Sequence, residues 1–209
     1  MSDRDGMHHV WLTGDRGAPV LVLLHGTGGT ARDLIPLAQR IHPNPSILSF
    51  LGDVNEAGMA RFFTRLKPGV FDEVDVIRRA KTMRVRLENQ ASQRGFSLQE
   101  VIAIGYSNGA NLLAAMLFLD EAPFKRAVLL HPMVPLAAVS PAGLAEKTIL
   151  VTAGKNDPIC PQDESQTLAD AFKNAGADVT IRWFNEGHSI GNAEVHGVES
   201  WVQNTIKKG

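Results

Sequence analysis

Short apolar segments that alternate with helical repeats are the feature that most restricts the fold of this chain. The segment 19–24 contains only apolar residues, as expected for a strand buried on both faces of a parallel sheet. Elsewhere hydrophobic residues recur at helical spacing, for example Val76, Ala80, Met83 and Leu87. We expect strands at 19–24, 46–51, 101–104, 127–130, 148–152 and 179–184, and helices that begin near residues 33, 72, 107, 163 and 195. This alternation predicts an α/β protein of three layers, with helices on both faces of a mostly parallel sheet.

Length and composition restrict the class of protein. The 209 residues contain no repeat, low-complexity tract or evident linker, so we expect one domain over residues 1–209. A net charge of -1 disfavours nucleic acid as a partner. The longest apolar stretch, 112–119, is too short to span a bilayer, and residues 1–6 do not resemble a secretory signal. With one cysteine, Cys160, no internal disulfide forms, and we expect a cytoplasmic protein without membrane insertion.

A glycine-rich segment, 26–31, follows the first strand and satisfies the G-x-G-x-x-A pattern of dinucleotide-binding loops. Asp53, at the end of the next strand, could bind a ribose. A nucleotide-binding oxidoreductase is therefore an alternative from a different functional class. His25 directly before the glycines, Pro36 near the helix start, and a spacing of 27 residues from Gly26 to Asp53 all disfavour it.

The segment Gly105–Gly109 reads G-Y-S-N-G and matches the G-x-S-x-G motif of a nucleophile elbow. It lies between a predicted strand and a predicted helix, which is the context that the motif requires. The glycines permit a tight, strained turn that raises the hydroxyl of Ser107 above the sheet. The pattern predicts Ser107 as a nucleophile, and the alternative interpretation is a plain glycine-rich turn.

A serine nucleophile needs a base and an orienting carboxylate. Asp157 follows the strand that ends near residue 152, and His188 follows the strand that ends near residue 184. Both therefore emerge at the carboxyl edge of the sheet, on the same side as Ser107. The order serine, acid, histidine is that of α/β-hydrolases.

Other residues compete for the roles of acid and base. Asp163 is better explained as a helix cap, and Asp178 precedes a strand and faces the opposite edge. His196 falls inside a helical pattern, which disfavours it as the base. His131 ends a predicted strand, so its position alone leaves it a candidate for the base. Chain order favours His188 over His131 as the base.

A tetrahedral intermediate needs two preorganised N–H donors. We expect the backbone N–H groups of Asn108, directly after the nucleophile, and of Thr27, in the first loop, to form this oxyanion hole. His25 is expected to hold that loop through bonds to the backbone rather than to act in catalysis.

Together, the segments 24–29, 105–109, 154–158 and 187–188 resemble the phospholipase/carboxylesterase family of small α/β-hydrolases. The resemblance extends from about residue 18 to the end of the chain, and segment 56–63 is similar to the bacterial carboxylesterase branch. It implies a compact, lidless α/β-hydrolase fold that acts on carboxylic esters without a cofactor, in many members as a homodimer. The 17 residues from 131 to 147 agree with the lack of a helical lid. Asn108, where many lipid- and protein-deacylating relatives carry Gln, favours small soluble esters.

The expected walls of the substrate pocket are Phe62, Phe63, Met133 and Val134. Core packing explains the two phenylalanines equally well. Arg61 is expected to be a solvated side chain and Cys160 a buried thiol. The seven histidines include no H-E-x-x-H or paired-cysteine spacing, so no metal is expected.

The sequence thus predicts a serine carboxylesterase that hydrolyses small or short-chain esters through an acyl-enzyme formed on Ser107, with His188 and Asp157 as base and acid. An acyl thioesterase or lysophospholipase is the nearest alternative. A nucleotide-binding oxidoreductase and a non-catalytic binding protein on the same fold are the alternatives from other classes.

Overall fold

The structure, a computed structural model, describes residues 8–207, so the expectation about residues 1–6 lies outside the described residues. In chain order the strands are β1 (His9–Leu12), β2 (Val20–Leu24), β3 (Ser46–Phe50), β4 (Val54–Glu56), β5 (Met59–Arg61), β6 (Arg65–Lys67), β7 (Val70–Phe71), β8 (Ile102–Tyr106), β9 (Arg126–Leu130), β10 (Thr148–Gly154) and β11 (Asp178–Phe184). The helices are α1 (Ile35–Ile41), α2 (Glu73–Arg94), α3 (Asn108–Phe118), α4 (Gln162–Asn174) and α5 (Asn192–Ile206).

Seven of these strands form one twisted sheet in the order β1-β3-β2-β8-β9-β10-β11. Every neighbouring pair is parallel except β1 and β3, which are antiparallel. The mostly parallel sheet that the apolar runs predict is therefore confirmed. Strand β1 was not predicted, because its four residues carry no apolar run or alternation long enough to distinguish a strand from a loop.

The two faces of the sheet are covered by different helices. Helices α2, α3 and α4 pack on one face and α1 and α5 on the other, each over its own apolar cluster. All residues of α3 are buried, because α2 and the sheet cover it together. Burying one Leu or Phe side chain in such a layer stabilises the fold by about 1.5–3 kcal/mol. This is the three-layer α/β-hydrolase arrangement expected from the sequence.

A side chain caps the N-terminus of α2, as the sequence predicts, but none caps that of α4. Asp72 caps α2 as expected, since its Oδ1 accepts the N–H of Asp75 at 3.1 Å. The expected cap at Asp163 is wrong: α4 begins one residue earlier, after Pro161, and no side chain caps it. Asp163 lies instead in the first turn, where the helix dipole favours a negative charge.

The carboxyl edge of the sheet carries loops and two hairpins. Strands β4–β5 and β6–β7 form antiparallel hairpins between β3 and α2. The carbonyl of Ala60 accepts the N–H of Gly28 at 2.9 Å, which joins the first hairpin to the glycine-rich loop after β2. Segment 131–147 contains no helix, in agreement with a lidless fold. Among residues 8–207, no helix combines the length and apolar character needed to cross a membrane.

Candidate active site

Ser107 lies in a tight turn between β8 and α3. Its backbone has φ 50° and ψ −112°, a conformation that costs a non-glycine residue about 1–3 kcal/mol. A Cβ on Gly105 would come within 2.6 Å of the amide nitrogen of Ala110, and one on Gly109 would overlap the carbonyl of Leu24. The two glycines therefore let β8, α3 and the loop after β2 approach closely, which raises Ser107 at the carboxyl edge.

The structure brings Ser107, His188 and Asp157 into one chain of contacts. The Nε2 of His188 lies 2.9 Å from the Oγ of Ser107, and its Nδ1 lies 2.7 Å from Oδ2 of Asp157. A carboxylate that accepts the N–H of Nδ1 leaves Nε2 free to accept the serine proton. The three residues follow β8, β10 and β11, so the topology of the sheet alone brings them together.

The carboxylate of Asp157 is fully shielded from solvent and has four donors. Its Oδ1 accepts the backbone N–H groups of Ile159 at 2.8 Å and Cys160 at 2.9 Å, and its Oδ2 faces both His188 and His131. Burial opposes ionisation, but the bonds from Cys160, His188, Ile159 and His131 together hold the pKa of Asp157 below its usual value. The carboxyl group of Asp157 is therefore ionised at neutral pH.

Tyr106 supports the loop that carries His188. Its hydroxyl donates to the backbone carbonyl of His188 at 2.6 Å, and its ring lies 5.4 Å from the imidazole between centroids. Burial, followed by the charges of Asp157 and Glu194, raises the pKa of Tyr106 to about 12. The hydroxyl thus stays protonated and keeps donating. The sequence did not single out this residue, because a tyrosine inside the elbow motif has no local signal of its own.

Two backbone N–H groups stand beside Ser107. In the described part of the chain, neither the N–H of Thr27 nor that of Asn108 donates to another protein group. Both residues line the same cavity as Ser107. Residues at the end of β5 hold their side chains. Arg61 donates to Oγ1 of Thr27 at 2.6 Å, and Oδ1 of Asn108 accepts the N–H of Phe62 at 2.7 Å.

A cavity of about 240 Å³ opens at Ser107 and His188. Met133 lines it as expected, but Phe62, Phe63 and Val134 do not, which corrects three of the predicted pocket walls. Phe62 and Phe63 are fully buried core residues that pack on His25 and Phe71, respectively. The wall comes instead from the hairpin residues Arg61, Arg65, Gly69 and Phe71 and from the loop residues Ile159 and Cys160.

The expectation that Arg61 is solvated is wrong, since only 2% of the residue is exposed. Its guanidinium donates to Oγ1 of Thr27 and to the carbonyl of Phe63, and it pairs with Glu56 at 3.3 Å. Arg65 pairs with the same carboxylate at 2.8 Å. Burial of Arg61 with one acidic partner and two neutral acceptors satisfies its charge and fixes the loop that carries Thr27.

The glycine-rich loop is built around His25. This histidine is buried, its Nδ1 lies 2.6 Å from the carbonyl of Gly26, and its Nε2 accepts the N–H of Gly52 at 3.0 Å. Burial lowers the pKa of His25, which favours the neutral form that this pattern requires. Asp53, the candidate ribose ligand, forms ion pairs with Arg79 and Arg86 instead. The geometry does not favour the dinucleotide interpretation.

The remaining candidates lie elsewhere or take other positions. His131 bonds to Oδ2 of Asp157 at 2.9 Å rather than to the serine. Asp178 begins β11 at the opposite edge of the sheet, and His196 is exposed on α5. Cys160 is a buried thiol as expected, and burial raises its pKa above the usual value.

Comparison with known proteins identifies relatives of this chain. A family model described as the dienelactone hydrolase family matches residues 56–202. A protein of Bacillus subtilis (strain 168) named for a hydrolase function, MhqD, is 38% identical over 200 residues, which cover 96% of this chain and 100% of MhqD. Among solved structures, a Bacillus cereus carboxylesterase is similar with a TM-score of 0.91 and 46% identity over 95% of this chain and 94% of that chain. YahD, solved with malic acid, has a TM-score of 0.89 and 27% identity over 95% and 99% of the two chains.

These findings confirm the resemblance to α/β-hydrolases and to bacterial carboxylesterases, although the matched model bears the name of dienelactone hydrolase rather than phospholipase/carboxylesterase. They support a hydrolase function. The chain belongs to the dienelactone hydrolase family of the α/β-hydrolase superfamily.

Proposed function

We propose that this protein is a serine carboxylesterase that hydrolyses small or short-chain carboxylic esters through an acyl-enzyme. Ser107 is the nucleophile, His188 the general base and Asp157 the residue that orients the imidazole. The observation that carries the proposal is the continuous contact from Oγ of Ser107 through His188 to Asp157, beside the backbone N–H groups of Thr27 and Asn108, which have no acceptor among residues 8–207.

The proposed reaction has two halves. His188 takes the proton of Ser107 at Nε2 while the serine oxygen attacks the ester carbonyl carbon. The N–H groups of Thr27 and Asn108 stabilise the oxyanion, each worth about 3 kcal/mol of the barrier. The alcohol then leaves with the proton from His188, and a water molecule, deprotonated by the same imidazole, hydrolyses the acyl-enzyme.

The size of the cavity supports a small acyl group. A volume of about 240 Å³ is below the range of about 300–1,000 Å³ that is typical of pockets for drug-sized ligands. The carboxylesterase name of the Bacillus cereus neighbour supports an ester substrate, and the name of the family model extends the set of test substrates to lactones, which are cyclic esters.

The nucleophile is tested with a fluorophosphonate probe and intact-mass measurement. We expect one adduct on the wild type, none on Ser107→Ala, and one on the control Ser92→Ala, whose serine is exposed on α2. Ser107→Ala should also lose about 10⁴-fold or more in ester hydrolysis. A folded wild-type protein that stays unlabelled contradicts the serine hydrolase proposal and favours a non-catalytic binding protein.

The substrate class is tested with p-nitrophenyl esters from acetate to palmitate, matched thioesters, a lysophospholipid and a simple lactone. We expect kcat/KM to be highest for the short oxygen esters and to fall as the acyl chain outgrows the cavity. Higher kcat/KM on long-chain thioesters or on the lysophospholipid would replace the proposed substrate with the thioesterase or lysophospholipase alternative.

A further inference from the structure

A buried histidine, His131, lies between two carboxylates behind the proposed base. Its Nδ1 lies 2.9 Å from Oδ2 of Asp157, and its Nε2 lies 3.1 Å from Oε2 of Glu194. The side chains of His131, Asp157 and Glu194 are all fully shielded from solvent. The second oxygen of Glu194 accepts the hydroxyl of Thr152 at 2.6 Å. A polar chain therefore runs from Thr152 through the interior to Asp157, which also contacts His188.

The two partners determine the protonation of His131. A neutral imidazole has a single N–H, so its bare nitrogen would face the lone pairs of the second carboxylate. With both nitrogens protonated, the ring donates to Asp157 and Glu194 at once. The trio then carries a net charge of −1 instead of an uncompensated −2 in the interior. The hydroxyl of Thr152 donates to Oε1 of Glu194, so Oε2 is the carboxylate oxygen that faces His131.

Three other titratable groups face His131 from neighbouring elements. The ring of Tyr106 lies 6.0 Å from it and that of His188 lies 5.3 Å from it, between centroids, and Sγ of Cys160 lies 3.2 Å from its carbonyl oxygen. Burial raises the pKa of both Tyr106 and Cys160, so both stay neutral. Tyr106 and Cys160 therefore add no charge beside His131, and His188 is the neighbouring imidazole that a charge on His131 faces.

Burial alone would lower the pKa of His131. The hydrogen bond and charge of Glu194, followed by those of Asp157, outweigh burial and raise the pKa above its ordinary value. The raised pKa of His131 agrees with a ring that is protonated on both nitrogens, as its two carboxylate partners require.

We propose that His131 is a positioning residue of the esterase site, an imidazolium held by Glu194 that fixes Asp157 and tunes the basicity of His188. The inference rests on the proposed function, because only a reaction that uses His188 as its base makes the tuning visible in turnover. With a second imidazole N–H on the same oxygen, Oδ2 of Asp157 keeps one orientation toward His188. The positive charge of His131 also lies close to His188, 5.3 Å away between ring centroids, on the side where Asp157 carries its negative charge.

The first test is the pH dependence of kcat/KM in Glu194→Gln. Glutamine has the same shape, its NH₂ group can donate to Nε2 of His131, and its oxygen can accept from Thr152. His131 then becomes neutral while its Nδ1–H still serves Asp157. The variant loses a cation near His188 and an anion farther away, so protonation of His188 becomes easier. We expect the acidic limb of the kcat/KM profile to move toward higher pH by about one unit, with KM at high pH unchanged.

The control is His196→Asn, which removes an exposed histidine two residues further along the same helix and should leave the limb in place. An acidic limb of Glu194→Gln that coincides with that of the wild type overturns the tuning role. So does a loss of activity that is equal at every pH, since that is the signature of a purely structural residue.

The second test measures the protonation of His131 directly and needs no turnover. In wild-type protein labelled with ¹⁵N-histidine, both nitrogens of His131 should show the shifts of a protonated ring from pH 6 to 9, with the signals assigned by their loss in His131→Asn. A His131 signal with one unprotonated nitrogen at pH 7 overturns the inference. A wild type that shows the protonated ring but no esterase activity instead contradicts the proposed function, so the two failures are distinguishable.

Discussion

Replacement of Asp157 by asparagine changes hydrogen bonding without changing the size of the side chain. In the wild type, Oδ1 accepts two backbone N–H groups, from Ile159 at 2.8 Å and from Cys160 at 2.9 Å. The amide oxygen of the asparagine can keep both bonds. Its NH₂ group must then occupy the position of Oδ2, which lies 2.7 Å from Nδ1 of His188.

An NH₂ group cannot accept the N–H of His188, so it stabilises the tautomer that carries its proton on Nε2. This nitrogen is the atom that must take the proton from Ser107, and the base is therefore blocked. Loss of tautomer control in a serine hydrolase lowers kcat by about 10⁴-fold. At 1.36 kcal/mol per factor of ten, the barrier rises by about 5.4 kcal/mol. KM should change little, because Asp157 does not line the cavity.

The assay is steady-state hydrolysis of p-nitrophenyl acetate, with circular dichroism to establish that the variant is folded. Asp163→Asn is the matched control: it removes an exposed carboxylate from the first turn of α4 and should keep wild-type turnover. Turnover of Asp157→Asn within a few-fold of the wild type would refute the role of Asp157. A large loss in Asp163→Asn alone would assign the acid to that residue.

Three further predictions follow from packing, hydrogen bonding and charge. Gly109→Ala should lower the free energy of unfolding by about 2 kcal/mol, because its Cβ overlaps the carbonyl of Leu24, and an unchanged urea midpoint would contradict this packing. Arg61→Lys should lower kcat about tenfold, because an ammonium cannot hold Thr27 and the other partners of the guanidinium at once, and unchanged kcat would count against that role. The pKa of Asp157 is lower in the folded state, so its ionised form stabilises the protein above about pH 4 and this contribution is lost as the pH falls through the folded pKa. Below pH 4, stability measured by denaturant should therefore fall less steeply in Asp157→Asn than in the wild type.

Local signals in the sequence were sufficient for the order of elements and for the elbow. Apolar runs and helical spacing act over a few residues, so the six parallel strands and the five helices could be predicted to within a few positions. The same holds for the turn at Ser107, whose glycines are required by contacts with immediate neighbours in the fold. Because parallel strands present their carboxyl ends at one edge, the sequence also predicted that Asp157 and His188 emerge beside the serine.

Tertiary structure alone decided which side chains meet inside the molecule. The two hairpins between β3 and α2 are too short to show a pattern, yet they bury Arg61 and supply much of the cavity wall. Chain order already favoured His188 as the contact of Ser107, but the position of His131 at a strand end left its partner open, and only the structure shows that it bonds to Asp157. Glu194 shows this most clearly: it is a polar residue in the first turn of α5, where an acidic side chain is common on any helix. Only the packing of α5 against the sheet buries it beside His131, because contacts between residues 63 positions apart depend on long-range packing rather than on local sequence.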